Sequence, residues 1–355
     1  MARDLKELLR DAVHKGASDL HLGADAPPYM RLNGRLIAMD SKNMDAETSK
    51  DLVYSILTND QKERLARDKE LDFAFTIEGL SRFRVNIFFQ RGCVGAAIRV
   101  LPFRIMNFEE CGLPIKVARD FCRREKGLVL VTGATGSGKS TTLASMIDSI
   151  NTERDCHIIT VEDPIEYMHS NKKSIINQRE VGGDTHSFTQ ALKHVLREDP
   201  DVILIGEMRD LETIEAALVI AETGHLVFAT LHTSDSVQTI NRIVDVFPAR
   251  QQAQVRTQLS FVLLGALSQQ LLPRASGKGR VLAVECLVTN HAMRSLIREA
   301  KIHQVYSLIQ TGQKDGMQTM NQALFDLYKR GEITSEEALA STTEVQDLER
   351  MLREK

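Results

Sequence analysis

One octapeptide constrains this chain more than any other feature. Gly133-Ala134-Thr135-Gly136-Ser137-Gly138-Lys139-Ser140 fits G-x-x-x-x-G-K-[ST] at every position. It follows an apolar run, Leu128-Val129-Leu130-Val131-Thr132, and opens onto Thr141-Thr142-Leu143-Ala144-Ser145-Met146-Ile147, which continues with helical spacing. A strand, a glycine-rich loop and a helix in that order make a phosphate cradle. The glycines allow backbone angles that turn consecutive N–H groups inward as an anion nest. The helix N-terminus adds the positive end of its dipole. In such a loop Lys139 reaches the β- and γ-phosphates of ATP and the Ser140 hydroxyl ligates Mg²⁺, with residues 133–141 forming the binding stretch. A glycine-rich turn would match this pattern by chance on the order of one per cent of the time in a chain this long, before its strand and helix are counted.

Three further strand ends carry chemistry. Asp201-Val202-Ile203-Leu204-Ile205-Gly206-Glu207-Met208-Arg209-Asp210 is an apolar strand that delivers the carboxylate of Glu207. In α/β sheets the ligand lies beyond the carboxyl ends of the strands, where Mg²⁺ or an attacking water needs an acidic neighbour. Ile158-Ile159-Thr160-Val161 ends in Glu162, Asp163 and Glu166; crowded carboxylates suit metal coordination and water activation, although Asp163-Pro164 also suits a solvated turn. The apolar strand of residues 226–231 lies between His225 and His232. His232, at its carboxyl end, is placed to sense a γ-phosphate or an adjacent subunit, while a lone histidine there can equally be structural.

The 355 residues suggest two domains at about 100–200 residues each. Residues 1–100 alternate short strands with helices and carry Asn33-Gly34 between two alternating runs, a hairpin signal, so a small α+β domain on an antiparallel sheet is expected. Residues 101–114 hold Pro102 and Pro114 and little periodicity, which suggests a linker. From 115 onward short apolar strands alternate with helices, the pattern of a largely parallel sheet. Ala249 to Leu272 reads as one long helix ended by Pro273, followed by a strand at 281–288 and a helical tail with a Thr334…Glu337 cap. A formal net charge of -3, no Trp and 5% aromatic residues argue against a nucleic-acid-binding protein. Cys93, Cys111, Cys122, Cys156 and Cys286 have no paired spacing, which indicates reduced thiols in a cytoplasmic protein. No apolar run is long enough to cross a bilayer, so no integral membrane segment is expected.

The four elements in this order (133–140, 162–166, 203–209 and 224–233) resemble the Walker A, Asp box, Walker B and His box of the type II/IV secretion ATPases. Lys15-Gly16-Ala17-Ser18-Asp19-Leu20-His21-Leu22 looks like that family's N-terminal signature, and Ser81-Arg82-Phe83-Arg84-Val85-Asn86 like its arginine strand. Ala292-Met293-Arg294-Ser295-Leu296-Ile297-Arg298-Glu299 is similar to the retraction motif of the PilT-like type IV pilus retraction ATPases, with Met293 and Ser295 where that branch usually has Ile and Asn. The region from Gln310 to Met320 looks like the same branch's C-terminal part. The match runs over nearly the whole chain.

The resemblance implies an α/β protein with a smaller N-terminal α+β PAS-like domain and a C-terminal RecA-like P-loop ATPase domain. It implies a homohexameric, Mg²⁺-dependent ATPase that binds ATP between its domains and is helped by a neighbouring subunit. Glu166 would be the base, Glu207 the metal or water organiser, and Arg82, Arg84 and Arg99 the charge-neutralising arginines. Arg82 and Arg84 alternate onto one face of a strand, which suits an exposed charged face as well. The implied task is pilus disassembly for twitching motility at the inner face of the cytoplasmic membrane, reached through an inner-membrane platform protein. A length of 355 residues is close to a bare two-domain unit, without the N-terminal extension and zinc insertion of assembly ATPases. An accessory retraction paralogue, a RecA-like nucleic-acid motor and a nucleotide-sensing regulator are the alternatives. Intact Lys139, Ser140 and Glu207 argue against the last.

Overall fold

Along residues 81–101 large apolar side chains alternate with arginines and small polar groups, and the chain answers with paired strands that bury one face. The computed structural model describes residues 4–32, 34–101 and 104–353. It separates into two units: the described residues through Arg104 together with Pro164–Met168, and Ile105–Asp163 with His169 onward.

In the first unit the elements run α1 (Leu5–His14), β1 (Asp19–Leu22), β2 (Tyr29–Leu32), β3 (Arg35–Ala38), α2 (Ala46–Tyr54), α3 (Asn59–Asp68), β4 (Glu70–Ile77), β5 (Ser81–Gln90) and β6 (Cys93–Leu101). Among the described residues the strands form an antiparallel sheet in the order β3-β2-β1-β6-β5-β4. One face packs Phe83, Val85, Ile87 and Ile98 against Leu5, Leu8 and Leu9 of α1 and against Val53 and Leu65. Residues 46–68 carry two helices in succession, not one. Thr58 accepts the Gln61 N–H while the Gln61 side chain accepts the Thr58 N–H, and this reciprocal cap starts α3 afresh. Asn33 of the expected Asn33-Gly34 turn lies outside the described residues. Gly34 has φ 82°, and Leu32 opposes Arg35 across the hairpin.

The second unit continues with α4 (Phe108–Cys111), α5 (Ile115–Arg123), β7 (Gly127–Thr132), α6 (Lys139–Glu153), β8 (His157–Glu162), β9 (Ile175–Glu180), α7 (Phe188–Val195), β10 (Val202–Ile205), α8 (Leu211–Glu222) and β11 (Leu226–Leu231). Then come α9 (Ser236–Asp245), α10 (Ala249–Val262), β12 (Leu263–Pro273), β13 (Arg280–Val288), α11 (His291–Arg298), α12 (Val305–Thr311), α13 (Met320–Lys329), α14 (Ser335–Ala340) and α15 (Val345–Arg353). Its sheet order is β13-β12-β7-β11-β10-β8-β9, parallel except for the β12–β13 hairpin. Strands β7, β10 and β11 are buried at every residue, as a sheet covered by helices on both faces requires. Of the stretch expected to link the domains, Pro102 and Phe103 lie outside the described residues. Phe108, Cys111 and Leu113 are buried in the second unit's core.

Two expectations are corrected. The helix expected from Ala249 to Leu272 stops at Val262, and residues 263–273 form β12 beside β7. An apolar run buried on both faces has no period to separate helix from strand. Gly265 marks the reason for a strand here, because a Cβ at that position would lie 2.3 Å from the Leu287 carbonyl oxygen and 2.3 Å from the Phe121 ring. Second, β9 carries few apolar residues and was not expected; it forms the sheet edge, paired to β8. Because both neighbours of that missing Cβ are packed, Gly265→Ala is expected to cost about 3 kcal/mol, read as a lowered denaturation midpoint at unchanged m-value.

Candidate active site

Strands β7, β11, β10 and β8 run parallel and end at one edge of the second unit: Thr132 lies beside Leu231, while Ile205 lies beside Ala229 and Val161, two residues lower. Everything that follows each strand is therefore delivered to the same edge, which is where ligands bind in such sheets.

The loop after β7 meets the requirements of an anion nest. Gly133, Gly136 and Gly138 have φ of 138°, 82° and 93°. A Cβ on Gly133 would come within 2.4 Å of the Gln269 carbonyl oxygen and 2.6 Å of Ser137 Oγ, so the position admits glycine only. Ala134, Thr135 and Gly136 form the exposed tip, while Ser137 is buried. Gly138 caps α6, and Lys139 is its first residue. Lys139 Nζ donates to the carbonyls of Gly133 at 2.7 Å and Ala134 at 2.9 Å, which holds the ammonium over the loop. Ser140 and Thr141 follow in the first turn of α6, half-buried. Below the loop, Gln269 of β12 donates to Thr142 Oγ1 at 2.7 Å and ties the second turn of α6 to the sheet.

Strand β11 lies between β7 and β10. That spacing puts about 10 Å between β7, which leads into the phosphate loop, and β10, which leads to Glu207. Glu207 stands just past β10 with its side chain largely covered; Arg209 Nε is 2.7 Å from one carboxylate oxygen and His232 Nε2 is 3.5 Å from the other. Thr230 Oγ1 donates to the Gly206 carbonyl at 2.5 Å, and the Met208 N–H donates to the Thr230 carbonyl, so β11 pins the backbone on both sides of Glu207. Ile203, Leu204 and Ile205 are buried supports of that turn. Asp210 and Asp235 then cap α8 and α9, accepting N–H groups of Thr213 and Gln238 at 2.8 Å. They fix where the chain leaves the site.

The histidines separate. His232 is at the carboxyl edge beside Glu207. His225 precedes β11, with Nδ1 3.1 Å from the Ile220 carbonyl oxygen at the end of α8. Seven strand-like steps put about 23 Å between them, so His225 belongs to the opposite edge and acts there on the α8 terminus. The acidic residues after β8 separate too. Glu162 accepts from Thr160 Oγ1 at 2.7 Å and from Gln178 at 3.3 Å, which makes it part of the β8–β9 join. Asp163 is exposed, and Glu166 is half-buried in the Pro164–Met168 segment that packs with the first unit.

Within that first unit Arg82 Nε donates at 3.0 Å to the Ile165 carbonyl, next to Glu166. Arg82, Arg84 and Arg99 lie on the sheet face opposite the apolar core. In one cross-strand line stand Arg84, Arg99, Asp19 and Arg31. Asp19 accepts from Arg99 Nε at 3.0 Å and from Ser18 Oγ at 2.8 Å. Burial pushes its carboxyl up, but the hydrogen bonds from Ser18 and Arg99 outweigh that and hold it below the usual carboxylate range. Neighbouring His21 is pushed down, first by burial.

The segment 292–299 forms α11 and its end. Met293 and Ile297 are fully buried, Arg294, Ser295 and Leu296 half-buried, and Ala292, Arg298 and Glu299 exposed. Ser295 Oγ donates to Glu299 at 2.7 Å, and the Arg298 guanidinium lies 5.9 Å from the centre of the exposed Phe261 ring.

A family model described as Type II/IV secretion system protein matches residues 1–340. The chain belongs to that family. The type IV pilus retraction ATPase PilT of Pseudomonas aeruginosa is 48% identical over 335 residues, 94% of this chain and 97% of that one. The type IV pilus ATPase PilU of the same organism is 42% identical over 350 residues, 99% of this chain and 91% of that one. A crystal structure of the pilus retraction motor PilT with bound ADP superposes with a TM-score of 0.93 at 53% identity, covering 98% of this chain and all of that one. The second unit thus has the RecA-like ATPase fold of the family, alongside a smaller N-terminal α+β unit.

Thr230 and Gln269 hold the loops of the second unit and Asp19 the arginines of the first, yet none of the three is among the residues singled out for chemistry. Thr230 and Asp19 sat inside quoted motifs, whereas Gln269 did not. Removing the Thr230 hydroxyl frees the backbone ahead of Glu207, so Thr230→Val is expected to lower the ATP hydrolysis rate about tenfold while the KM for ATP stays within about twofold, measured as steady-state phosphate release.

Proposed function

We propose that this chain is the ATP-hydrolysing motor of type IV pilus retraction, working as a homohexamer on an inner-membrane platform protein. Its relatives PilT and PilU are named for the type IV pilus, and the PilT crystal structure contains ADP. The observation that carries the proposal is the phosphate loop: three left-handed glycines, the Lys139 ammonium over the loop, and a helix N-terminus beneath it, two strands away from a covered carboxylate. In this reading the loop amides and Lys139 grip the β- and γ-phosphates, and Ser140 with Glu207 holds Mg²⁺. Among the described residues no three His, Cys, Asp or Glu side chains could hold a metal ion by themselves. A hydroxyl and one carboxylate fit an ion that keeps waters and takes phosphate oxygens. Mg²⁺, when bound, would neutralise charge on the transferring phosphoryl group.

Two carboxylates divide the remaining work. Glu166 takes the proton of the attacking water, and Glu207, steadied by His232, orients that water and the metal. Arg82, Arg84 and Arg99 supply positive charge to the phosphoryl transition state. Arg84 directly opposite Arg99 is a like-charge pair that destabilises a sheet by itself. Asp19 offsets part of this repulsion, and an anion bound on this face would offset more.

Among the described residues no helix is long and apolar enough to cross a membrane, so placement at the inner face of the cytoplasmic membrane would come through the partner. Likeness to PilU over 99% of the chain favours, as a second reading, an accessory retraction ATPase.

Lys139→Ala is expected to reduce phosphate release by about two orders of magnitude or more, and Glu166→Gln and Glu207→Gln each by about a hundredfold with the KM for ATP little changed. Activity that survives Lys139→Ala would overturn the enzyme assignment. Stimulation by single-stranded DNA on the order of tenfold or more would instead assign a nucleic-acid motor. Deleting the chain in its source organism should abolish retraction of fluorescently labelled pili, and retraction that persists would assign the accessory role.

A further inference from the structure

A buried carboxylate that the hydrolysis scheme does not use stands on the far side of the phosphate-loop strand. Glu285 on β13 is 3% exposed. It accepts the N–H of Ser236, the first residue of α9, at 2.7 Å. The start of α13 is tied to the same strand, since Cys286, next to Glu285, and Gln318 exchange N–H to carbonyl bonds at 2.8 and 3.0 Å. The carboxylate thus holds the N-terminus of α9, which presents amide donors and the positive end of a dipole.

Its strand neighbours extend the arrangement toward the nucleotide. Glu285 is directly opposite Ser268 on β12, and Ser268 is directly beside Thr132, the last residue of β7. Direct cross-strand neighbours share a face. Thr132 Oγ1 donates to Ser268 Oγ at 2.9 Å, and both residues are fully buried. One end of this polar row is therefore Thr132, the residue that precedes Gly133. The other holds the start of α9, which lies just after His232. The intervening segment is fastened to the same helix, since Thr233 Oγ1 is 2.6 Å from Thr239 Oγ1.

Such a row is costly in a core. Burial pushes the Glu285 carboxyl up from its ordinary range, against the pull of its amide donors. An apolar residue of similar volume would avoid that cost, so packing alone does not account for a carboxylate here.

We propose that the row Thr132, Ser268 and Glu285 is a positioning element that fixes the His232 segment relative to the phosphate-loop strand, with Glu285 anchoring the start of α9. The proposal rests on the assignment of this edge as an ATP-hydrolysing site. Glu285 touches neither nucleotide nor reacting atoms; it acts through the segment that carries His232 to Glu207. Its loss should therefore reach turnover and leave the ground-state grip of Lys139 and the loop amides intact.

The test uses the full chain and Glu285→Gln, which keeps the volume but sets an NH₂ group among amide donors. Expected are a fall in the ATP turnover rate of about tenfold, with the KM for ATP and the affinity for a fluorescent ADP analogue within about twofold of the parent. Ser268→Ala interrupts the row at its middle and should reproduce the split at about threefold. A turnover rate within twofold of the parent in folded Glu285→Gln overturns the proposal. So does a loss of turnover that tracks loss of ADP-analogue binding and of thermal stability. If Glu285→Gln does not fold, parental turnover in Ser268→Ala overturns it. Absence of ATP turnover in the parent would overturn the proposed function itself, a result distinct from any of these.

Discussion

The parallel register of β7, β11, β10 and β8 is the constraint on which the rest of this chain depends. Because β7 and β11 finish together at Thr132 and Leu231, and β10 finishes beside Val161 of β8 two residues short of that level, the phosphate loop, His232, Glu207 and the acidic turn emerge at one edge with no long excursion of chain. The register is held by strands buried on both faces. Each fully buried Val, Leu, Ile or Phe contributes about 1.5–3 kcal/mol, and a shift of one residue would turn every such side chain to the opposite face. Rigidity at the sheet edge is thus a consequence of burial behind it. The loops beyond can then carry strained glycines and half-covered charges without deforming the frame.

Within that frame polar groups concentrate just below the edge. Thr132, Ser268, Gln269, Thr142, Thr230 and Glu285 are all buried. Hydrogen bonds join Thr132 to Ser268, Gln269 to Thr142 and Thr230 to Gly206. Each fixes a backbone step that leads into a functional loop. Hydrophobic contact is non-directional and tolerates small slides, whereas a buried hydrogen bond is lost within a fraction of an ångström. The apolar core supplies stability, and these bonds convert it into position.

How much of this was legible in the sequence depended on the range of the interaction. The phosphate loop could be read because its demands are local: glycine where φ is positive, lysine and serine at the first turn of α6. The strand ends at Glu207 and His232 were legible for the same reason, each being a short apolar run closed by one polar residue. Residues 263–273 read as helix because a run buried on two faces has no periodicity, and its partner β7 lies far away in sequence. Glu166 appeared to follow β8 into the ATPase unit, but the structure groups Pro164–Met168 with the first unit, beside Arg82. The Gln269–Thr142 bond spans 127 residues, and nothing in either local sequence announces the other. The bond from the start of α9 to Glu285, 49 residues away, is hidden in the same way.

The two histidines show how little a motif says about the position of its members. His225 and His232 flank the same strand, so spacing alone groups them. A six-residue extended strand nevertheless carries its ends to opposite edges of the sheet. Only the carboxyl edge gathers helix N-termini, which favour anions. The amino edge gathers helix C-termini, whose open carbonyls need donors. His225 meets such a carbonyl at Ile220, while His232 meets the carboxylate of Glu207. Strand polarity therefore determines their different surroundings before any substrate is considered: one ring meets the end of α8, and the other faces the carboxylate of Glu207.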